Sequence, residues 1–505
     1  MDRPTVLEMP PASQERALAD LKRKSVRGGA ITFASQGAKV IVQLASTVIL
    51  ARLLTPNDFG IIAMVGSVTA LAEYLRDLGL STAAIQKHNL THAQQTNLFW
   101  LNVAMGLSLT TAVAAASPLI ARFYHQPEVL WVTVASSASF LIGSLAAQSS
   151  AMLARNLWFG RQAVATISGA LATLAVGIAL ALNGHRYWSL VWGQLAGAAT
   201  TAAFLFFLSP FRPRLPRGGT GVRDLLKFGA HITAFDFVNY FNRNLDKILI
   251  GRFWGAVPLG LYSRGYVFLM LPMNNLWAPI NAVAFPALSR LQDQPAAYRK
   301  YYQRVAGLLA LISMPCMAFL FVASVPIVQL ALGPKWADVA PIFAVLATVA
   351  FVQPVIMLWV TVLLSRGMGR RYLHIGILNA ASSAAGFLAG IHWGPMGVAT
   401  GYAIATYVTA YPILAWAFKG TSLRFCDFWA SVCRPMMASL LAVGISLALS
   451  GRLQAYQAAL EILAMGAIFL PTFVLVLWCL PGGRLEIQRA LELLPAKPPL
   501  KWAAQ

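Results

Sequence analysis

The sequence predicts an all-α polytopic membrane protein of about 14 transmembrane helices, with two six-helix lobes in pseudo-two-fold repeat and two extra C-terminal helices. Three observations predict it. Apolar runs of bilayer length recur along the chain, basic residues crowd alternate connections, and a polar helical stripe returns after a shift of 200 residues. With 505 residues, 58% hydrophobic and only 11% charged, and a mean hydropathy of +0.64, the chain lies outside the range of soluble globular proteins.

The apolar runs fall at 28–51, 59–80, 97–121, 129–153, 160–183, 187–210, 226–251, 258–286, 304–330, 338–364, 371–391, 396–418, 428–450 and 456–480. Each reaches the ~20 residues that a helix needs to cross hydrocarbon. The second and eighth carry polar or proline positions at which they can break. The net charge of +22 would point to nucleic acid in a soluble protein, but its distribution excludes that partner. With the N-terminus cytoplasmic, the clusters Arg16 to Arg27, Arg212 to Lys227, Arg290 to Arg304, Arg366 to Arg371 and the tail from Arg484 all lie inside. The outer connections hold only Arg52, Arg122, Arg186, Arg252, Lys335 and Arg452. This is the positive-inside asymmetry, and it places both termini in the cytoplasm.

The predicted organisation is a basic arm (1–27), an N-lobe (28–210), a linker (211–225), a C-lobe (226–418), two further spans (428–480) and an amphipathic tail (481–505). The arm has no signal-peptide cleavage site. The Pro-, Gly- and Arg-rich linker suits anionic lipid headgroups, and the tail suits the membrane surface.

The first span carries Gln36, Lys39, Gln43 and Ser46 on one helical face. The seventh carries Asp236, Asn239, Tyr240, Arg243, Asp246 and Lys247 on one face. A shift of 200 residues lays the first stripe on the second without a gap: Gln36 on Asp236, Lys39 on Asn239, Gln43 on Arg243, Ser46 on Asp246, Arg52 on Arg252 and Gly60 on Gly260. Ionisable groups in hydrocarbon cost at least ~2.5 kcal/mol each and face a partner or a watery cavity. Two readings follow: the stripes line a central cavity, or they pair to fix packing. As cavity lining, Lys39, Arg243 and Lys247 form an anion-binding set. Gln36, Gln43 and Asn239 offer amides for hydroxyls, and Asp236 and Asp246 serve as coupling or charge-pairing groups. Arg264, early in the eighth span, points either into that cavity or outward to the surface.

Elsewhere, Glu73, Arg76 and Asp77 read as local ion pairs near the cytoplasmic surface. His185 and Arg186 read as a solvated outer turn, and Pro272, Pro286, Pro315, Pro354, Pro412 and Pro471 as kinks or interruptions. Cys316, Cys426, Cys433 and Cys479 have no ligand spacing and read as small core residues. No nucleotide-binding loop, HExxH or carboxylate pair with metal-ligand spacing occurs, and all outer connections are short. The expectation is a protein without cofactor or metal that is not an enzyme.

The segments ILARLLTPNDFGIIAMV, LRDLGLSTAAIQ, QQTNLFWLN, RNLDKILIGRFWGAVPLGLYSRGYVF and FPALSRLQ resemble the Wzx-type oligosaccharide flippases. These form the polysaccharide-transporter branch of the multidrug/oligosaccharidyl-lipid/polysaccharide (MOP) exporter superfamily. The resemblance spans roughly residues 25–420. It implies a fourteen-helix, two-lobed alternating-access transporter of the bacterial inner membrane. The implied cargo is an undecaprenyl-diphosphate-linked oligosaccharide repeat unit for exopolysaccharide, capsule or O-antigen synthesis. It also implies a cationic cavity at Lys39, Arg243 and Lys247, with membrane lipids and polysaccharide polymerase or assembly proteins as partners. Three readings compete: a drug/cation antiporter of the same superfamily, a membrane-embedded glycan polymerase or acyltransferase, and a non-transporting scaffold.

Overall fold

A computed structural model describes residues 32, 34–77, 91–216, 244–451, 457–484 and 486. The basic arm, Asp236, Asn239, Tyr240, Arg243, most of the linker and the tail from residue 487 lie outside the described residues. Every regular element among those described is a helix: α1 (Ala34–Leu53), α2 (Pro56–Asp77), α3 (His92–Tyr124), α4 (Glu128–Arg155), α5 (Phe159–Leu182) and α6 (Tyr187–Leu208). Then come α7 (244–254), α8 (Ala256–Arg290), α9 (Pro295–Val322), α10 (Ser324–Ala331), α11 (Val339–Ile356), α12 (Leu358–Ser365), α13 (Gly369–Gly390), α14 (Gly394–Phe418), α15 (Phe425–Ser450) and α16 (Ala458–Cys479).

Among the described residues, 10 helical stretches are long and apolar enough to cross a membrane. One of them, Gly369–Phe418, comprises α13 and α14 around a short turn at Ile391–Trp393. The predicted spans at 59–80 and 258–286 are α2 and α8, continuous helices whose polar residues keep them below that apolarity. Two predicted spans come in two pieces: 304–330 breaks at Ala323, and 338–364 breaks at Met357, three residues after Pro354. Pro315, Pro412 and Pro471, in contrast, lie inside unbroken helices. A membrane helix tolerates a proline where neighbours re-satisfy the freed carbonyl.

The helix starts follow local chemistry. At α3, Thr91 Oγ1 accepts from Gln94 N, and Thr91 N donates to Gln94 Oε1, a reciprocal cap for two otherwise orphaned donors. Thr55 and Asp58 do the same at α2. Exposed tryptophans sit towards the helix ends. Trp131, Trp192, Trp254 and Trp393 mark one end of the bundle helices, and Trp100, Trp158, Trp416, Trp429 and Trp478 the other. Between them most of the exposed large side chains are Leu, Ile, Val and Phe. These are the aromatic belts and lipid-facing band of a multi-pass membrane protein.

The chain divides into two compact units, residues 1–244 with 255–257, and residues 245–254 with 258–505. In the first, α3 packs on α4, α5 on α6, and α4 on α6. In the second, α9 packs on α11, α13 on α14, and α11 on α14, which is the same pattern element for element. The 200-residue shift also carries the end of α1, Leu53, to within a residue of the end of α7. Burial is graded: in the apolar stretch of Val339–Ser365, 72% of residues are buried, against 11% in α1. α15 and α16 join the second unit by packing on α9 and α10.

The paired hairpins close backbone to backbone. In α13–α14, a Cβ on Gly386 would land on the carbonyl of Gly401, and one on Gly390 on that of Gly397. In α5–α6, Gly169 and Gly197 receive Thr201 and Thr173 in the same way. Small residues allow this approach where lipid supplies no hydrophobic drive. Cys426 and Cys479 are exposed, and Cys316 and Cys433 half-buried. The expectation of core cysteines therefore fails for the first two, which face outward near helix ends. Gly386→Val should destabilise the second unit by about 1–3 kcal/mol through overpacking, read as a lowered melting temperature of the purified protein.

Candidate functional site

On α1, the stripe expected from sequence is a continuous face. Gln36, Lys39 and Gln43 are all exposed, while Ser46 and Thr47 behind them turn inward. Thr47 Oγ1 donates to Gln43 O (2.8 Å), so this hydroxyl is absorbed by its own helix backbone. Lys39 therefore stands on an accessible surface of the first unit, flanked by two amides one turn away on either side.

On α7, the arrangement is inward. Asp246 is 3% exposed. Its Oδ2 accepts from Tyr262 Oη (2.8 Å), and its Oδ1 from Lys247 N (2.8 Å). Tyr262 stacks on Tyr266, with centroids 6.2 Å apart, and Lys247 Nζ lies 5.1 Å over the Tyr266 ring. One layer further in, Gln353 Nε2 donates to Tyr402 Oη (2.9 Å), joining α11 to α14. Arg264 on α8 is half-buried with its Nε enclosed. The structure thus gathers Asp246, Lys247 and the α8 tyrosines into one charged aromatic cluster. Tyr262, Tyr266 and Tyr402 escape sequence reasoning because tyrosine carries no charge signal. Their one legible sign is the YSRGY spacing, which puts both α8 rings on the same face as a stripe one helix earlier.

One charged group sits differently from expectation. Arg186 is not merely solvated: its Nε lies 3.5 Å from Oδ1 of Asp58, which is 1% exposed. Its local sequence offers no acid, and the partner comes from the start of α2. Arg76 pairs with Glu73 (3.1 Å) as expected, and the pair is partly exposed. Its guanidinium lies against Gly143, 12 residues before the end of α4, or about 18 Å along the helix. Long side chains point back toward the helix N-terminus, which carries the head of Arg76 toward mid-membrane. On α15, Asp427 is 1% exposed and accepts from Arg299 Nε (2.5 Å) and Gln303 Nε2 (2.7 Å). Its other oxygen takes the Arg424 N–H (2.8 Å). Neighbouring Arg434 donates to Glu486 (2.6 Å). Among the described residues there is no cluster of three His, Cys, Asp or Glu able to hold a metal.

A family model described as a polysaccharide biosynthesis protein matches residues 49–341. The lipopolysaccharide biosynthesis protein WzxC of Escherichia coli (strain K12) is 27% identical over 341 residues, covering 66% of this chain and 68% of its own. The teichuronic acid biosynthesis protein TuaB of Bacillus subtilis (strain 168) is 25% identical over 444 residues, covering 85% and 90%. In fold, the chain is similar to the lipid II flippase MurJ in its inward closed conformation. The TM-score is 0.72 at 14% identity, over 89% of this chain and 98% of that one.

Removing the Tyr262 hydroxyl leaves a buried carboxylate oxygen short of a donor, so Tyr262→Phe should cost about 1–3 kcal/mol. Combined with Asp246→Asn, the loss should be less than the sum of the two, as for partners in one network. Thermal unfolding of the four proteins checks both statements.

Proposed function

Because this chain belongs to the Wzx-like polysaccharide biosynthesis protein family and has the fold of the MOP exporter superfamily, we propose that it is a flippase for lipid-linked oligosaccharide. The cargo is an undecaprenyl-diphosphate-linked repeat unit, carried from the cytoplasmic to the outer leaflet of a bacterial inner membrane. The observation that supports this most is the exposed face of α1, where a cation in the second turn of the helix stands between two amides.

In this reading fourteen helices form two six-helix lobes related by an axis along the membrane normal, with α15 and α16 outside the repeat. The three helix pairings that recur in the two units support the repeat. Lys39 from one lobe and Arg243 and Lys247 from the other attract the diphosphate, whose charge interacts most strongly where water is scarce. Gln36, Gln43 and Asn239 bond sugar hydroxyls, and Arg264 adds a further cation. Asp236 and Asp246 balance these charges or carry a coupling ion. The prenyl chain stays in lipid while the lobes rock about the headgroup, as in other repeat-built transporters. Both termini are cytoplasmic, and polymer assembly proteins take the product on the far side. The names of the relatives agree with this role: lipopolysaccharide and teichuronic acid biosynthesis for two, lipid II flippase for the third. A cation antiporter would need a net acidic stripe, whereas this one carries more cations than acids.

In a strain lacking its own flippase, wild-type protein should restore polymer. The double charge reversal Lys39→Glu with Arg243→Glu should reach the membrane at normal level and restore none. Full restoration by the reversed protein would remove the assigned role.

A further inference from the structure

The hairpin of α3 and α4 carries a polar seam that the proposed transport path does not use. Its register is set by Thr110 Oγ1, which donates to Ser137 O (3.0 Å). One turn along, a Cβ on Gly106 would fall on the Ser144 side chain. The next turn of this antiparallel pair sets Asn102 opposite Gln148. Asn102 is 1% exposed and Gln148 0%. All four polar atoms of these two amides are buried without a hydrogen-bond partner among the described residues, as are Ser144 Oγ and Ser149 Oγ. From the side of α2, Arg76 completes the group. Its guanidinium occupies the space left by the missing Cβ of Gly143. Its Nε is buried without a partner, and Nη1 reaches only Glu73.

An unmet buried polar atom costs about 1–3 kcal/mol, so seven of them at one seam demand an occupant. Both kinds are unmet: donors on the amide nitrogens and on Arg76 Nε, acceptors on the amide oxygens. An anion would satisfy only the donors. A metal cation would satisfy only the oxygens, and Arg76 would repel it. A sugar hydroxyl does both but cannot reach atoms with no accessible surface. Water does both, and needs two to four polar partners for each molecule.

We infer that α2, α3 and α4 enclose a file of internal water molecules running from Arg76 past Ser144 to Asn102 and Gln148, near the middle of the membrane. The file solvates the enclosed Nε of the Arg76 guanidinium. It also gives the hairpin hydrogen bonds that can be exchanged without parting its apolar contacts. The inference stands whether or not the cargo is a lipid-linked sugar.

Hydroxyl-radical footprinting by synchrotron X-rays, on the full chain in nanodiscs, tests it, because trapped water yields radicals in place. Met152 lies one turn from Gln148 and is buried. Met64 in the same unit and Met317 in the other are equally buried and serve as dry controls, and Met396, at the start of α14, is exposed. Met152 should oxidise about tenfold faster than Met64 and Met317, approaching Met396, as expected of a side chain beside retained water. In Asn102→Leu with Gln148→Leu its rate should drop to that of the dry controls. Where the double variant does not accumulate, Gln148→Leu alone carries the same expectation. Protection of Met152 in the wild-type protein overturns the inference, and so does unchanged oxidation in a folded variant.

Discussion

No hydrogen-bonding group can face hydrocarbon unpaired, and the rest of this molecule follows from that constraint. It makes every described element a helix. It places tryptophan at the helix ends and leucine between them. It also forces each charge within a span to find a partner, and the partners found differ in kind. Asp246 takes a phenol and a backbone amide, Asp58 a distant arginine, Asp427 a guanidinium, an amide and its own helix start. Lys39, by contrast, stands on an open face, which is why α1 rather than any acid of the second unit marks the candidate site.

The two units solve the packing problem alike. Each places two glycine- or threonine-closed contacts between paired helices and sets a more buried helix, α4 or α11, where the pairs meet. The glycine contacts in α13–α14 leave no side chain between backbones, so that pair moves as one piece. The regular helices of the second unit are interrupted instead at Ala323 and Met357, where α9 and α11 end.

Much of this was legible in the chain. The span positions follow from apolar length, and the family from the segments around Arg52 and Arg252, because both signals are local and additive. The polar stripe of α1 was legible from spacing alone, whereas its counterpart on α7 was legible only as a face: that Asp246 turns inward depends on Tyr262, a neutral residue on the next helix. The breaks at Ala323 and Met357 left no clear mark, since Pro315 and Pro412 look no different in sequence and their helices continue. Arg186 and Arg76 each gained a neighbour that spacing could not show. A contact between helices far apart in the chain leaves no local mark, here Asp58 of α2 for one and Gly143 of α4 for the other.

The grip of Asp427 on Arg299 has a consequence for biogenesis. The two residues are 128 apart in the chain, so at a synthesis rate of about 5–20 residues per second the arginine waits roughly 6–26 seconds for its acid. Throughout that interval the Arg299 guanidinium, near the start of α9, has solvent in place of Asp427. The carboxylate that closes it arrives only with α15, which ties completion of the second unit to the arrival of the two helices that lie beyond the repeat.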